Sequence, residues 1–148
     1  MKALSIEWNY VDDILSGKKK KEYRDWKTNH RGKLLLHCKS IPGKAHGYIA
    51  GVCDVTDCKD WKGGYAFVLE NVHRVVPIKL SGKQKIFNAD IDENQLEYLD
   101  APGTTVTDAE FEVFHRKFVN AMLEQDIQYG LTDKQFEEIF NIKFQDAD

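Results

Sequence analysis

The 148 residues are 42% hydrophobic and 30% charged, and they carry a formal net charge of −3. That length and apolar content suit one domain, with or without an appendage, and exclude wholesale disorder. No run nears the ~18 apolar residues of a membrane span and residues 1–7 lack the apolar core of a secretory signal, so a cytoplasmic protein that leaves membranes alone is expected.

Residues 2–6 read as a first strand. Asn9 is placed to cap a two-turn helix, with Tyr10, Val11, Ile14 and Leu15 on one face and Gly17 as its stop. From Lys19 the pattern becomes period two. Lys20, Glu22, Arg24 and Trp26 fall on one face of an extended segment, and Lys21, Tyr23 and Asp25 on the other. After a turn at His30-Arg31-Gly32, the run Leu34-Leu35-Leu36 suits a buried strand over residues 33–38. Ile41-Pro42-Gly43 breaks the chain. Residues 48–55 read as a strand in which Gly51 marks a bulge or a close backbone approach. Lys62-Gly63-Gly64 is a turn, residues 65–69 form another strand, and residues 72–80 a further one whose Pro77 suits an edge. Short strands following a single early helix predict a small barrel, closed or partly open.

The remaining sequence is different. Residues 92–99 fit a short helix. Thr107 with Glu110 forms a capping box that opens a helix carrying Phe111, Phe114, Phe118, Ala121 and Met122 on one face and ending at Gly130. Thr132 with Gln135 opens a second helix with Phe136, Ile139 and Phe140, so the two make an αα-hairpin, acidic outside and phenylalanine-rich inside. The aromatic stripe is expected to pack on the barrel, and the acidic hairpin to border a basic cleft there. The predicted fold class is α+β: a small β-barrel domain over residues 1–88 with an early short helix, then an acidic α-helical extension over residues 89–148.

Charge divides along the same boundary. Residues 1–87 hold 17 Lys and Arg against 9 Asp and Glu, a net of +8, whereas residues 88–148 hold 4 against 15, a net of −11. Such a split points to a nucleic acid or another polyanion as partner for the basic part. The surplus is concentrated, since Lys18, Lys19, Lys20, Lys21, Arg24, Lys27, Arg31 and Lys33 fall within 16 residues. Lysines and arginine supply phosphate contacts while Tyr23 and Trp26 supply stacking planes, an interleaving that suits a single strand of nucleic acid. Glu22 is the odd member, placed to anchor Arg24 or Lys20 or to take a proton from a substrate.

Other chemistries find little support. Three cysteines (Cys38, Cys53, Cys58) are an odd and sparse set for a disulfide framework. Cys53 and Cys58, with Cys38 and His37, lack the paired spacing of a structural zinc site, so reduced thiols without a metal are expected. His30, His37, His46, His73 and His115 show no ligand pair at i, i+4, and His46 reads as a surface loop residue. Neither a phosphate loop nor a nucleophile elbow occurs, and no cofactor is expected.

The segment Gly17-x-Lys19-x-x-Glu22-x-Arg24 resembles the G-x-K-x-x-E-x-R signature of the ASCH domain family, PUA-like β-barrels. Its context agrees: Lys2-Ala3-Leu4-Ser5-Ile6 ahead, Trp26 and Arg31-Gly32 after, then Leu34-Leu35-Leu36-His37, Gly51-Val52 and the run from Tyr65 to Val72. The resemblance covers about residues 2–80 and leaves the acidic end outside. It implies a PUA-like barrel associated with RNA, with Lys19, Glu22 and Arg24 in a binding cleft. Some bacterial members of similar fold are enzymes, among them 4-acetylcytidine amidohydrolases and a ribonuclease. The amidohydrolases carry a threonine where Glu22 stands, so no robust 4-acetylcytidine hydrolysis is expected.

The leading expectation is therefore a module that binds RNA or a nucleotide. Lys19, Lys21, Arg24 and Arg31 would meet phosphates, Tyr23 or Trp26 would stack on a base, and Glu22 would orient Arg24 or read a base amino group. The first alternative is a hydrolase of RNA or a modified nucleoside, with Lys19 and Glu22 as base and acid around a water. The second is a protein-interaction adaptor that works through the acidic helices.

Overall fold

The computed structural model describes residues 1–39, 47–99, 105–106, 108–127, 134 and 143–144. The chain runs β1 (Lys2–Ile6), α1 (Trp8–Leu15), β2 (Lys21–Arg24), β3 (Gly32–Cys38), β4 (Tyr48–Trp61), β5 (Gly64–Lys79), β6 (Ile86–Asn88), β7 (Thr105–Val106), α2 (Asp108–Glu124) and β8 (Lys143–Phe144). Six strands make one mixed sheet in the order β2-β5-β4-β3-β1-β6, curled into a half-barrel, and β7 pairs with β8 apart from it. Fold class α+β is met.

The leucine run explains the layering. β3 lies inside the sheet, parallel to β1 through Ala3–Leu35 and Leu4–Leu36 and antiparallel to β4. Both of its faces are covered, so it needs no polar alternation. Leu34 and Leu36 enter one core with Leu4, Ile6, Val11, Ile14 and Phe67. Leu35 enters the other with Ala3, Ile49, Val52, Val75, Phe87 and Leu96. α1 closes the first core by burying Val11 and Ile14, two of the four positions its one-face spacing had marked; Leu15 packs there partly buried, and Tyr10 is exposed.

Several expected boundaries move. α1 starts at Trp8 with Glu7 as its cap residue, not Asn9, because the Glu7 carbonyl already accepts the N–H groups of Tyr10 and Val11 at 3.0 Å. The runs at 65–69 and 72–80 are one strand, β5, and β4 extends to Trp61. Their pairing contains three register shifts, at Ile49/Gly51, Val52/Asp54 and Val55/Asp57. Bulges flip the inward face, so one long strand reads as two short ones. Gly51 is the close approach expected of it: a Cβ there would stand 2.5 Å from Leu15 Cδ2 and 2.6 Å from the His73 carbonyl oxygen.

Residues 92–99 hold a single 3-10 turn, Glu93–Gln95, closed by a capping box in which Gln95 Oε1 accepts the Asp92 N–H at 2.6 Å, and then an antiparallel bridge from Tyr98 to Val75 of β5 in place of the expected helix. β6, which no sequence signal marked, lies on the far side of β1. α2 ends before the expected Gly130: Asp126 turns to φ 55, and the Ile127 N–H returns to the Met122 carbonyl at 2.8 Å. α2 buries Phe118, Ala121 and Met122 and docks on β5. Gln125 stitches that contact, accepting from the Lys79 N–H at 2.7 Å and donating to the Pro77 carbonyl at 2.6 Å. Pro77 thus sits where a side chain stands in for the neighbouring strand. The capping residues Thr107, Thr132 and Gln135, the side chains of Phe111 and Phe114, His46, and the second helix with Phe136, Ile139 and Phe140 lie outside the described residues.

Candidate nucleic-acid interface

A cleft of about 630 Å³ opens between β1, the end of β2, the end of β3 and the segment that joins β5 to β6. Among the described residues, four basic side chains line it, Arg24, Lys39, Lys83 and Lys85, and no carboxylate does. Ser5, His37 and Trp26 complete the wall. Trp26 is half-buried, packed edge-on against Phe67 at 5.1 Å between centroids, with Lys85 Nζ 5.8 Å from its own ring centroid. None of the described residues of α2 lines the cleft, and the second helix of the expected hairpin lies outside the described residues.

β2 carries the motif, and its alternation sorts the candidates. Glu22 and Arg24 share the inner face, one face as the period-two pattern predicted, while Tyr23 is exposed on the outer face. Arg24 reaches across to β1, where Nη2 donates to the Ser5 carbonyl at 2.9 Å, fixing the guanidinium at the cleft wall. Glu22 is only 5% exposed and does not line the cleft. Its Oε1 accepts the Tyr23 N–H at 3.2 Å and lies 3.8 Å from Lys19 Nζ and 3.7 Å from Arg24 Nε. Both ion pairs exceed hydrogen-bond length, and Glu22 Oε2 is buried without a hydrogen-bond partner.

The structure therefore brings Lys19, Glu22 and Arg24 together and puts Arg24 and Trp26 at the cleft. Lys21 and Tyr23 turn away to the outer face beside Trp61, where the Tyr23 and Trp61 rings lie 5.6 Å apart. Arg31 stays in its own turn: Nη1 donates to the Thr28 and His30 carbonyls at 3.1 and 2.9 Å, and Nη2 lies 3.9 Å from Asp57.

Sequence reasoning passed over His37, Lys39, Lys83 and Lys85. The Leu80 carbonyl can only accept, so His37 Nε2 carries the proton toward it and Nδ1 accepts from the Ser5 hydroxyl at 2.9 Å. Burial pushes His37 below the ordinary 6.5, against the Leu80 bond and with the Lys39 charge, which keeps the ring neutral near pH 7. Two glycines make room for it. A Cβ on Gly82 would stand 2.4 Å from Ser5 Oγ and 2.8 Å from His37 Cε1, and one on Gly47 would stand 2.7 Å from the same ring. The available signal was Ser81-Gly82-Lys83-Gln84-Lys85, a polar, lysine-bearing run around a glycine between two apolar strands.

All three cysteines are free; Cys38 and Cys53 are core residues, and burial pushes both thiols up to about 12. No helix among the described residues is long and apolar enough to cross a membrane.

A mixed, curled half-barrel with a basic cleft beside its motif strand places the chain in the PUA-like class of folds. The family model of the ASCH domain matches residues 4–89, more than half of the chain, and the protein belongs to the ASCH domain family. That family is commonly associated with RNA binding. No curated protein matches the chain.

Proposed function

We propose that the protein binds single-stranded RNA, or a nucleotide unit of it, in the cleft between Arg24, Lys39, Lys83 and Lys85. The observation that carries this reading is the cleft's lining among the described residues: four cations, no carboxylate and an indole wall. A site of that composition attracts phosphate, while Trp26 supplies an apolar surface for a base. Residues 1–88 are the binding domain in this reading, and α2 of the acidic extension docks on β5, with none of its described residues in the cleft lining.

The test is a salt titration of a fluorescein-labelled decauridylate with wild type and a Lys83→Ala/Lys85→Ala variant. Each phosphate contact on a single strand contributes about 0.7 to the slope of log affinity against log salt. Four contacts give a slope of about −2.8, and the double variant about −1.4, with weaker binding throughout. Unchanged affinity and slope in a folded variant refute the reading.

One observation supports a hydrolase as the second reading: Glu22 is buried, with Oε2 unpartnered, 3.8 Å from Lys19 across its other oxygen. Product formation from single-stranded RNA or 4-acetylcytidine that is lost in Glu22→Gln supports it. Absence of turnover on both substrates rejects it.

A further inference from the structure

Three large rings outside the cleft lining are left in water. Tyr10, Tyr23 and Trp61 are 44%, 45% and 43% exposed. Trp61 stands at the end of the β4–β5 hairpin, where Lys62 and Gly63 both take positive φ (43 and 82), the geometry of a tight two-residue turn. The turn itself needs no aromatic residue. Each ring nevertheless has an ammonium group against it. Lys19 Nζ lies 4.4 Å from the Tyr10 centroid and 5.4 Å from that of Tyr23, so one cation bridges two rings. Lys21 and Lys62 lie 5.8 and 5.2 Å from the Trp61 centroid, and Trp61 in turn lies 5.6 Å from Tyr23. The result is a continuous strip in which aromatic faces alternate with cations.

We propose that this strip is a second contact site for single-stranded RNA, on which bases stack against Tyr10, Tyr23 and Trp61 while phosphates draw on Lys19, Lys21 and Lys62. The proposal rests on the reading of the cleft as an RNA site and lengthens that site. Arg24 and Tyr23 are neighbours on opposite faces of β2, and among the described residues β2 is an edge strand paired only with β5. A bound strand leaving the cleft crosses that edge and meets the rings on the other side.

Charge and shape select the occupant. Asp57, beside Lys21 on the outer face of β4 and β5, is held by Arg31 at 3.9 Å, and Lys19 lies 3.8 Å from the buried Glu22. With Asp25 on the same face as Tyr23, Lys19, Lys21 and Lys62 still outnumber the carboxylates that reach solvent at the strip. An ammonium resting on an exposed ring is weakly held and moves to a phosphate at small cost, uncovering the ring for a base. Duplex bases are already stacked and paired and cannot use such a platform. An acidic peptide satisfies the lysines but has no planar group for the rings.

The experiment uses the full chain with two probes, fluorescein-labelled decauridylate and uridine monophosphate. Trp61→Ala lowers decauridylate affinity about 5-fold or more and leaves monophosphate affinity unchanged, because the mononucleotide occupies only the cleft. Tyr10→Ala, on α1, gives the same pattern and stands in if Trp61→Ala loosens the hairpin. Lys83→Ala/Lys85→Ala weakens both probes. Decauridylate affinity equal to wild type in both aromatic variants overturns the strip while leaving the cleft intact. Competition by decaglutamate equal to that by unlabelled decauridylate overturns it too, in favour of an acidic protein partner. A wild-type chain that binds neither nucleotide probe removes the cleft reading and the strip with it.

Discussion

Asp12 on α1 is half-buried against Arg74, and replacing it with asparagine isolates one titration from the rest of the molecule. Burial pushes the Asp12 carboxyl up from 3.8 to about 6, against the pull of the Arg74 guanidinium and with the Asp13 charge adding to the rise. Burial also lowers Arg74, to about 10, so the environment disfavours both charges. For a carboxyl raised in the folded state the favourable situation lies at low pH. Below 3.8 it is protonated folded and unfolded; above about 6 it is ionised in both, and the folded state bears the whole cost of enclosing the charge. A shift of about two pH units, at about 1.36 kcal/mol each, is worth about 3 kcal/mol, and solvent access on the open side reduces it to about 2. Urea unfolding followed by tryptophan fluorescence at pH 4 and pH 7.5 measures it. The stability of Asp12→Asn relative to wild type rises by about 2 kcal/mol between those pH values. Any constant offset from loss of the Arg74 partner cancels in the difference. Parallel curves, or a difference that shrinks with pH, refute the argument.

Two further outcomes follow from the cleft wall. Gly82→Ala places a Cβ where Ser5 Oγ and His37 already stand, so it costs about 1–3 kcal/mol in urea unfolding and weakens decauridylate binding by shifting Lys83 and Lys85; a variant as stable and as tight as wild type rules out the close packing. His37 titrates below the ordinary 6.5 in a proton NMR titration of the folded protein, so stability present above that pH declines as pH falls past it; imidazolium formation at or above 6.5 shows that the ring is not enclosed.

The parts that local pattern could show are those with one simple environment. Residues 22–26 display their alternation because β2 has one face on the core and one in water, so the period-two pattern sorts Glu22, Arg24 and Tyr23 between faces, whereas Lys20, ahead of the strand, is exposed. The leucine run of β3 was legible for the opposite reason, burial on both faces. β4 and β5 were not, since each register shift reverses which residues face inward and erases the period. The cleft was the least legible. It joins His37 to Leu80, 43 residues along the chain, through the parallel pairing of β1 with β3 and the return of the chain to β6. Lys83 and Lys85 look like ordinary linker lysines until that closure sets them opposite Arg24. Trp61 was hidden differently, just ahead of a turn whose glycines gave a sufficient account of the segment.

The edge position of β2 has a consequence for how the protein behaves in concentrated solution. An unpaired strand edge is a template on which a second chain can add, and proteins commonly discourage this with charge along the edge. Here Lys18, Lys19, Lys20 and Lys21 lead into β2, and two copies brought edge to edge set those lysines against each other. The run that favours a polyanion is thereby also a guard against self-association. The two properties respond oppositely to salt, since screening loosens the polyanion and relaxes the repulsion between copies. Fibril or oligomer growth through this edge is fastest where nucleic-acid binding is weakest.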